Sequence, residues 1–449
     1  MGAEWSRFGT SNPSKRFKRE TDDTVDAANN RTQQSLFTGI DWSRLPYLVL
    51  VQVFQHLDNP DRYHAALTCK SWLLTFSSPA LWRTGHFKLN TKYSQSLISF
   101  VETMGKSLLH IIADGTELQD GDISSSNRFL SDLLDALLTA NNRKLETLSL
   151  TNMRMLRSPF AYPRCEEKLA SLLENQRKLQ VLDLSNAGLV LCEGLDLLVA
   201  ATLNCHTTLH TLHINGLVNQ SCSRALARHS NFLLVVSSLS KLSHLQLSHA
   251  YLSDTVLYLL AATACNSLRV MTVHANNLYD CSIRTTPSAW QALSSACPAL
   301  KVEVLIQPMT SVYCYYGVSV GNILTPSMPL HKLHWIFART VDKARLQHCF
   351  QRIAANFQIS LRHLHIDLGL FEDSDILGDF FKRCHNLESL SVKLTTFEML
   401  GEFKVEQQIR RAIASHPTKH VCNVNLNGRD VSLTQGWLTS FVGLLARVV

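Results

Sequence analysis

A short apolar motif returns at near-regular intervals from Leu145 onward, and it restricts the folds open to this 449-residue chain more than any other feature. It has the form L-x-x-L-x-L: LETLSL at Leu145, LQVLDL at Leu179, LHTLHI at Leu209, LSHLQL at Leu242 and LRVMTV at Leu268. Looser versions follow as LKVEVL at Leu300, LHKLHWI at Leu330, LRHLHI at Leu361 and LESLSV at Leu387. Successive starts lie 26 to 34 residues apart, and the intervals mostly carry an amphipathic run such as SDTVLYLLAATAC (253–265) or SDILGDFFKRC (374–384). Each unit therefore reads as a short strand followed by a helix. One such unit cannot close its own apolar face, so neighbours must stack, with parallel strands on one side and helices on the other.

Side chains alternate across a strand, so the leucines that flank the last x turn inward while that x and the residue two before it face away. This places Thr147, Ser149, Asp183, Thr211, His213, His244, Gln246, Thr272, Lys332, His334, His363, His365, Asp367, Ser389 and Lys393 on one exposed surface. The pattern resembles a leucine-rich-repeat solenoid of the longer, helix-bearing kind, which implies an α/β fold with strands concave and helices convex. The concave face then becomes the expected surface for a client protein, with Asp183, His213, His244, Gln246, His334, His363, His365, Asp367 and Lys393 as its candidates. His334 and His365 fall in matching register with Asp367 two residues on, but no rigid helical His-x-x-x-His or Cys/His set pins a metal geometry. Cys265, Cys297 and Cys384 sit three residues before the next leading leucine, and Cys205 four before Leu209, where a helix turning into a strand suits a small buried thiol.

At the edges of the array the rhythm weakens. LLHIIADGT at Leu108 reads as a degenerate first strand or cap, and HVCNVNLNGRDV near Val421 as a last strand ahead of a terminal covering segment. Residues 307–329, with Tyr313, Tyr315, Tyr316 and three prolines, argue against a regular convex helix. They read either as a protruding, client-contacting loop or as a strand-like convex edge.

Ahead of the array, LPYLVLVQVFQHLDNPDRYHAALTCKSWLLTFSSPALWR (45–83) fits three short helices too small to bury themselves. The first starts at Pro46 and gathers Leu50, Val53, Phe54 and Leu57 on one stripe. Asn59-Pro60-Asp61 reads as N-cap, first helical position and dipole-favourable acid. The second helix is expected to carry Ala66, Leu67, Cys69 and Trp72, and Ser78-Pro79 repeats the cap-then-proline device before Leu81 and Trp82, with Gly85 as a stop.

The order Leu45-Pro46, Val53-Phe54, Leu57, Asp61, Cys69-Lys70, Trp72 and Leu81-Trp82-Arg83 resembles the F-box, although Cys69 and Trp72 are one spacer closer than in the family pattern. The resemblance covers about 40 residues. It implies a receptor that docks on a Skp adaptor, reaches cullin and RING subunits through it, and holds an unidentified client elsewhere. The adaptor-binding candidates are Leu45, Pro46, Leu50, Val53, Phe54, Leu57, Leu67, Trp72, Leu81 and Trp82. The alternative is a repeat scaffold whose F-box does not engage cullin, tethered to a membrane by myristoylation at Gly2.

Hydrophobic content of 45% with 18% charged residues describes a well-buried chain, and a net charge of +7 over this length marks no nucleic-acid track. No stretch reaches the length of a membrane span and the start MGAEWSRFGT is unlike a secretory signal, so an intracellular protein, cytoplasmic or nuclear, is expected. Twelve cysteines without CxxC pairs or tight Cys/His clusters argue against a zinc-finger or disulfide framework. GxxxxGK[ST], GxGxxG and HExxH are missing, and no GxSxG is read as opening a helix; the resemblance to F-box receptors implies that ubiquitin transfer is left to other subunits, so a non-catalytic subunit without cofactor is expected. The expected organisation is a disordered tail over 1–40 bearing the basic cluster Lys15–Arg19, the F-box over 41–88, a capping region over 89–144, and repeats over 145–449.

Overall fold

The computed structural model of the protein describes residues 42–88, 94–116, 123–153, 165–275, 285–307, 320–336, 343–370, 380, 383–384, 386–395, 422–426 and 429–433. The tail with Gly2 and the basic cluster, the three tyrosines at 313–316 and most of 374–384 lie outside them. The chain divides into two compact units, Met1–Leu148 with Phe160–Gln176, and Ser149–Pro159 with Arg177–Val449.

The first unit begins with α1 (Tyr47–Gln55), α2 (Asn59–Ala66) and α3 (Lys70–Phe76). Pro46 is the N-cap of α1 rather than its first residue. The cap of α2 is Asp58, not Asn59: its backbone is extended and its carboxylate accepts the Asp61 N–H at 2.9 Å. A proline lacks the N–H a cap would need to satisfy, so Pro60 is tolerated anywhere in that first turn. The expected second helix is broken in two. Leu67 closes α2 and Cys69, in extended conformation, starts α3, which carries Trp72. Gly85 stops nothing; it lies inside β1 (Thr84–Lys88).

That strand was not legible as one. It pairs in parallel with β2 (His110–Asp114), from Thr84 against His110 to Lys88 against Asp114, with α4 (Ser94–Met104) between them. Next come α5 (Ile123–Thr139), β3 (Thr147–Thr151), in which the division between units falls, and α6 (Cys165–Glu174). In this unit the turn from helix to strand is held by buried amides instead of thiols. Asn142 Nδ2 donates to the Gly105 and Leu108 carbonyls at 2.6 and 2.8 Å, while Gln176 Oε1 accepts the Leu145 N–H at 3.0 Å.

In the second unit strand and helix alternate as the repeat requires. The order is β4 (Val181–Asp183), α7 (Leu191–Cys205), β5 (Thr211–His213), α8 (Ser223–Leu226), α9 (Ser230–Ser238), β6 (His244–Ser248) and α10 (Asp254–Thr263). It continues with β7 (Val270–Ala275), α11 (Pro287–Ala296), β8 (Lys301–Ile306), α12 (Val320–Ile323), β9 (Leu330–Ile336), α13 (Lys343–Phe357), β10 (His363–Leu370) and β11 (Ser389–Thr395). From β4 to β11 each strand pairs in parallel with the next. Then β12 (Cys422–Leu426) adds in parallel and β13 (Arg429–Leu433) turns back antiparallel to it, so the end near Val421 holds two strands where one was expected.

The core of this unit is built from inward rungs. Leu247, Val273, Val304, Leu333, Leu364 and Leu390 stand opposite one another on successive strands, none more than 6% exposed. At the helix ends, Cys205, Cys297 and Cys384 are buried, but Cys265 is exposed. There Ala264 takes the inward place and its carbonyl meets the Cys297 thiol at 3.4 Å. The expected irregularity over 307–329 is only partly realised. α12 is a single turn, yet Ile323, Leu324 and Met328 are buried, so the end of this segment belongs to the core.

Candidate functional site

Two surfaces stand out, one in each unit. In the first, α1–α3 enclose Val51, Phe54, Ala66, Leu81 and Trp82, and Trp72, Phe76, Phe100 and Met104 pack against that cluster. Phe100 and Met104 come from α4, so this chain supplies part of the cover that the isolated three-helix reading assigned to another polypeptide. The aromatic rings meet edge to face: Phe54 with Trp72 at 5.6 Å, Phe76 with Trp82 at 5.1 Å, and Trp82 with Phe100 at 5.6 Å. Their N–H groups are used, Trp82 Nε1 donating to the Phe76 carbonyl at 2.7 Å and Trp72 Nε1 to the Trp42 carbonyl at 3.1 Å.

Sequence reasoning passed over Arg62. Its Nε donates to the Phe54 carbonyl at 2.7 Å and its Nη2 to the Gln55 carbonyl at 3.4 Å, so a guanidinium satisfies the carbonyl end of α1. The guanidinium carbon also lies 5.7 Å from the centre of the Trp82 ring.

This geometry sorts the ten adaptor candidates. Leu50, Phe54, Leu81 and Trp82 are buried and hold the module together; they cannot present surface to a partner. Leu45, Val53, Leu57 and Trp72 are half-buried, and Pro46 and Leu67 are exposed. The outward apolar face is made by residues mostly absent from that set. Leu48 is 74% exposed and Leu74 72%, accompanied by Trp42, Tyr47, Val49, Leu67 and Leu73. Leu48 and Val49 fall off the stripe that faces the core, and that misfit with amphipathic spacing was their signal.

In the second unit all the described client candidates share one sheet face. One row runs Asp183, His213, Gln246, Thr272, Glu303, Lys332, His363, Ser389, and the next Ser248, His274, Leu305, His334, His365, Ser391. Glu303 and His274 follow the same alternation, Glu303 between the inward Val302 and Val304 and His274 two residues beyond Thr272. His213 Nδ1 lies 3.3 Å from Asp183 Oδ2, and the Ser185 hydroxyl lies 2.6 Å from Asp183 Oδ1 and 2.8 Å from Asn215 Oδ1. Burial pushes the Asp183 carboxyl up, but hydrogen bonds from His213 and Ser185 outweigh it and leave it below the usual carboxylate range.

The imidazoles move the other way. Burial lowers His334, helped by His365 and Lys332, and lowers His365, where Asp367 opposes it. The two rings meet edge to face at 4.1 Å. Burial, with a smaller push from His213, takes His274 down to about 4. The Nε2 atoms of His274 and His334 are buried and accept or donate no hydrogen bond among the described residues. Lys332 pairs with Glu303 at 3.8 Å and Lys393 with Asp367 at 2.9 Å, so the formal charges on this face largely compensate one another. The face so formed presents hydrogen-bonding groups and imidazole rings side by side. Among the described residues no group of three or more His, Cys, Asp or Glu side chains is placed to hold a metal ion, and no helix is long and apolar enough to cross a membrane.

Comparison with known proteins bears on the family of the front domain and on the chain as a whole. Residues 42–88 match the F-box-like family, so the chain carries an F-box-like domain ahead of its strand-and-helix repeats. Over most of its length it is homologous to F-box/LRR-repeat protein 21. The Mus musculus protein is 25% identical over 375 residues, 81% of this chain and 79% of that one. The Bos taurus protein is 26% identical over 319 residues (68% and 66%), and the Ovis aries protein 28% over 322 residues (68% and 67%). A crystal structure of the Rad7 and Elc1 complex in yeast aligns over 85% of this chain and 93% of that one, at 15% identity and a TM-score of 0.39.

Proposed function

We propose that this protein is a substrate-recognition subunit of a ubiquitin ligase of the Skp/cullin/F-box type. The F-box-like domain docks on a Skp adaptor, and cullin and RING subunits are reached through it. The open sheet face of the repeats holds the client. The observation that carries this reading is the exposed apolar set Leu48, Val49, Leu67, Leu73 and Leu74 on a domain whose own core is already filled. Several large apolar side chains left in water on so small a domain favour burial by a partner. No catalytic group is required of this chain. Holding a client lysine near a charged conjugating enzyme raises its effective concentration by orders of magnitude.

The test is affinity capture from cells with the double variant Leu48→Glu/Leu74→Glu. Each residue is expected to behave as an interface anchor worth about 2 kcal/mol, so adaptor binding falls by well over tenfold. The thermal midpoint should stay put, because both side chains already face water. Adaptor and cullin should disappear together while proteins bound to the repeats remain. Capture of adaptor without cullin would instead favour the scaffold reading, and undiminished adaptor capture would overturn the docking face.

A further inference from the structure

On the helix side of the second unit, α7, α9, α10 and α11 pack side by side in that order. Their inward residues complete the core, with Phe232, Leu257, Leu260, Trp290 and Leu293 buried. What they turn outward is unusual for helices in water. A surface helix normally sets charged residues opposite its apolar stripe, as α6 does with Glu166, Glu167, Lys168 and Glu174. By contrast, α9, α10 and α11 hold a single charged residue, Asp254 at the start of α10. Its carboxylate is occupied, accepting the Thr286 N–H at 2.8 Å and the Thr286 hydroxyl at 2.9 Å.

Large apolar side chains stand on the same side. Leu203 is 63% exposed and Leu234 66%, and Val199 and Tyr258 join them. Val199, Leu234 and Tyr258 each fall near the middle of their helix, and the outward positions around them on α9–α11 are Ser, Asn, Thr, Gln and Ala. The core below is full, so these side chains are not an unfinished interior. Aliphatic and aromatic exposure combined with depletion of charge is the composition found at the buried centre of a protein interface.

We propose that this helix face is a dimer interface, occupied by a second copy of the chain. Charge selects that occupant. A face without free charge meets its own image without setting like charges opposite, and it gives an acidic or basic partner nothing to pair with. Direction agrees with this. Each of α9, α10 and α11 links two parallel strands, so the three run the same way. A two-fold axis normal to the face then sets them antiparallel to their counterparts, positive helix ends against negative ones. With the axis at the middle of α10, Tyr258 meets its own counterpart, and Arg269, exposed beyond the end of α10, approaches Asp254 of the second copy. Helices about 15 Å long and roughly 10 Å apart give a footprint of about 15 by 35 Å, enough for the roughly 1,000 Å² in total that a specific interface buries. The inference does not depend on the receptor reading.

Sedimentation equilibrium of the full chain at rising concentration is the test, and a monomer–dimer equilibrium is expected. Leu234→Glu/Tyr258→Glu should raise the dissociation constant about tenfold or more, since each new carboxylate would be buried unpaired. Both side chains face water in the monomer, so its thermal melt at high dilution should stay put. Leu203→Glu, on the edge of the face, should give a smaller loss and replaces the double variant if that one melts early. Ile359→Glu, at a 74% exposed apolar residue outside these helices, should leave the equilibrium unchanged. So should Leu48→Glu/Leu74→Glu, which separates this face from the adaptor-docking one. A chain that stays monomeric into the tens of micromolar overturns the proposal, as does a dimer indifferent to the helix-face variants or abolished by Leu48→Glu/Leu74→Glu. Flotation of the monomer with phosphatidylcholine vesicles, lost in Leu234→Glu/Tyr258→Glu, would assign the face to lipid and overturn it as well.

Discussion

The F-box-like domain and the repeats solve the same problem, closing an apolar face, in opposite ways. Each repeat is covered by the next. Leu182, Leu212, Leu245 and Met271 stand in register on four strands, and among the described residues of the repeats the large exposed apolar side chains include Val199, Leu203, Leu234 and Tyr258 on the helices. The domain at the front has no such neighbour on α1–α3. It fills its core with aromatic rings, adds Phe100 and Met104 from α4, and still leaves Leu48, Leu74 and their companions in water. A stack puts its unmet requirements at its ends, whereas a single small helical module puts them on a face.

If that contrast is real, the two regions should fail independently. Trp290 is fully buried, with Nε1 donating to the Thr285 hydroxyl at 2.8 Å, and Phe54 is fully buried in the domain core. Trp290→Ala should cost about 3–5 kcal/mol in denaturant unfolding, and so should Phe54→Ala. The first should leave adaptor capture intact and the second should abolish it; loss of adaptor capture in both would break the comparison.

Acid should act on the repeats more than on the domain. The folded state resists protonating His274 until the pH reaches about 4, while the unfolded chain takes that proton near pH 6.5. Its contribution is therefore constant above about pH 6.5 and is lost as the pH falls from there to about 4, on the order of 2–3 kcal/mol in all. Asp183 adds to the same trend at lower pH. Its depressed folded value means a contribution present above the ordinary carboxylate range and lost as the pH falls through the lowered one. Unfolding of His274→Gln should show a shallower pH dependence between those limits; an unchanged slope would remove this imidazole from the account.

The smallest effect sharpens the contrast between stability and recognition. Asp367 and Lys393 form an exposed pair at 2.9 Å, so Lys393→Ala should change stability by no more than about 1 kcal/mol. If the sheet face is the client surface, the same variant should alter client capture while unfolding and adaptor binding stay the same.

Legibility followed the range of the interactions. The two rows of the sheet face were readable because strand alternation is a local property, and His334 against His365 came out in the expected register. The closure of the front domain was not readable, since nothing in residues 45–83 announces that Phe100 will cover Trp82. Nor was the exposure of Leu48 and Leu74 there. Spacing marks which residues are apolar and periodic, and those are the ones that become core, so the outward face was found by elimination only once burial was known.

The amino-acid order alone determined that strands and helices alternate, which residues point to each side of the sheet, and that a helical module precedes them. These follow from periodicity along the backbone. The fold in three dimensions decided the Asp58 cap, the guanidinium of Arg62 at the end of α1, the outward turn of Cys265 and the register shift between β8 and β9 that makes His331 an extra residue. Each of those depends on which atoms remain unsatisfied after distant segments have packed, and that is a sum over neighbours that no short window of sequence contains.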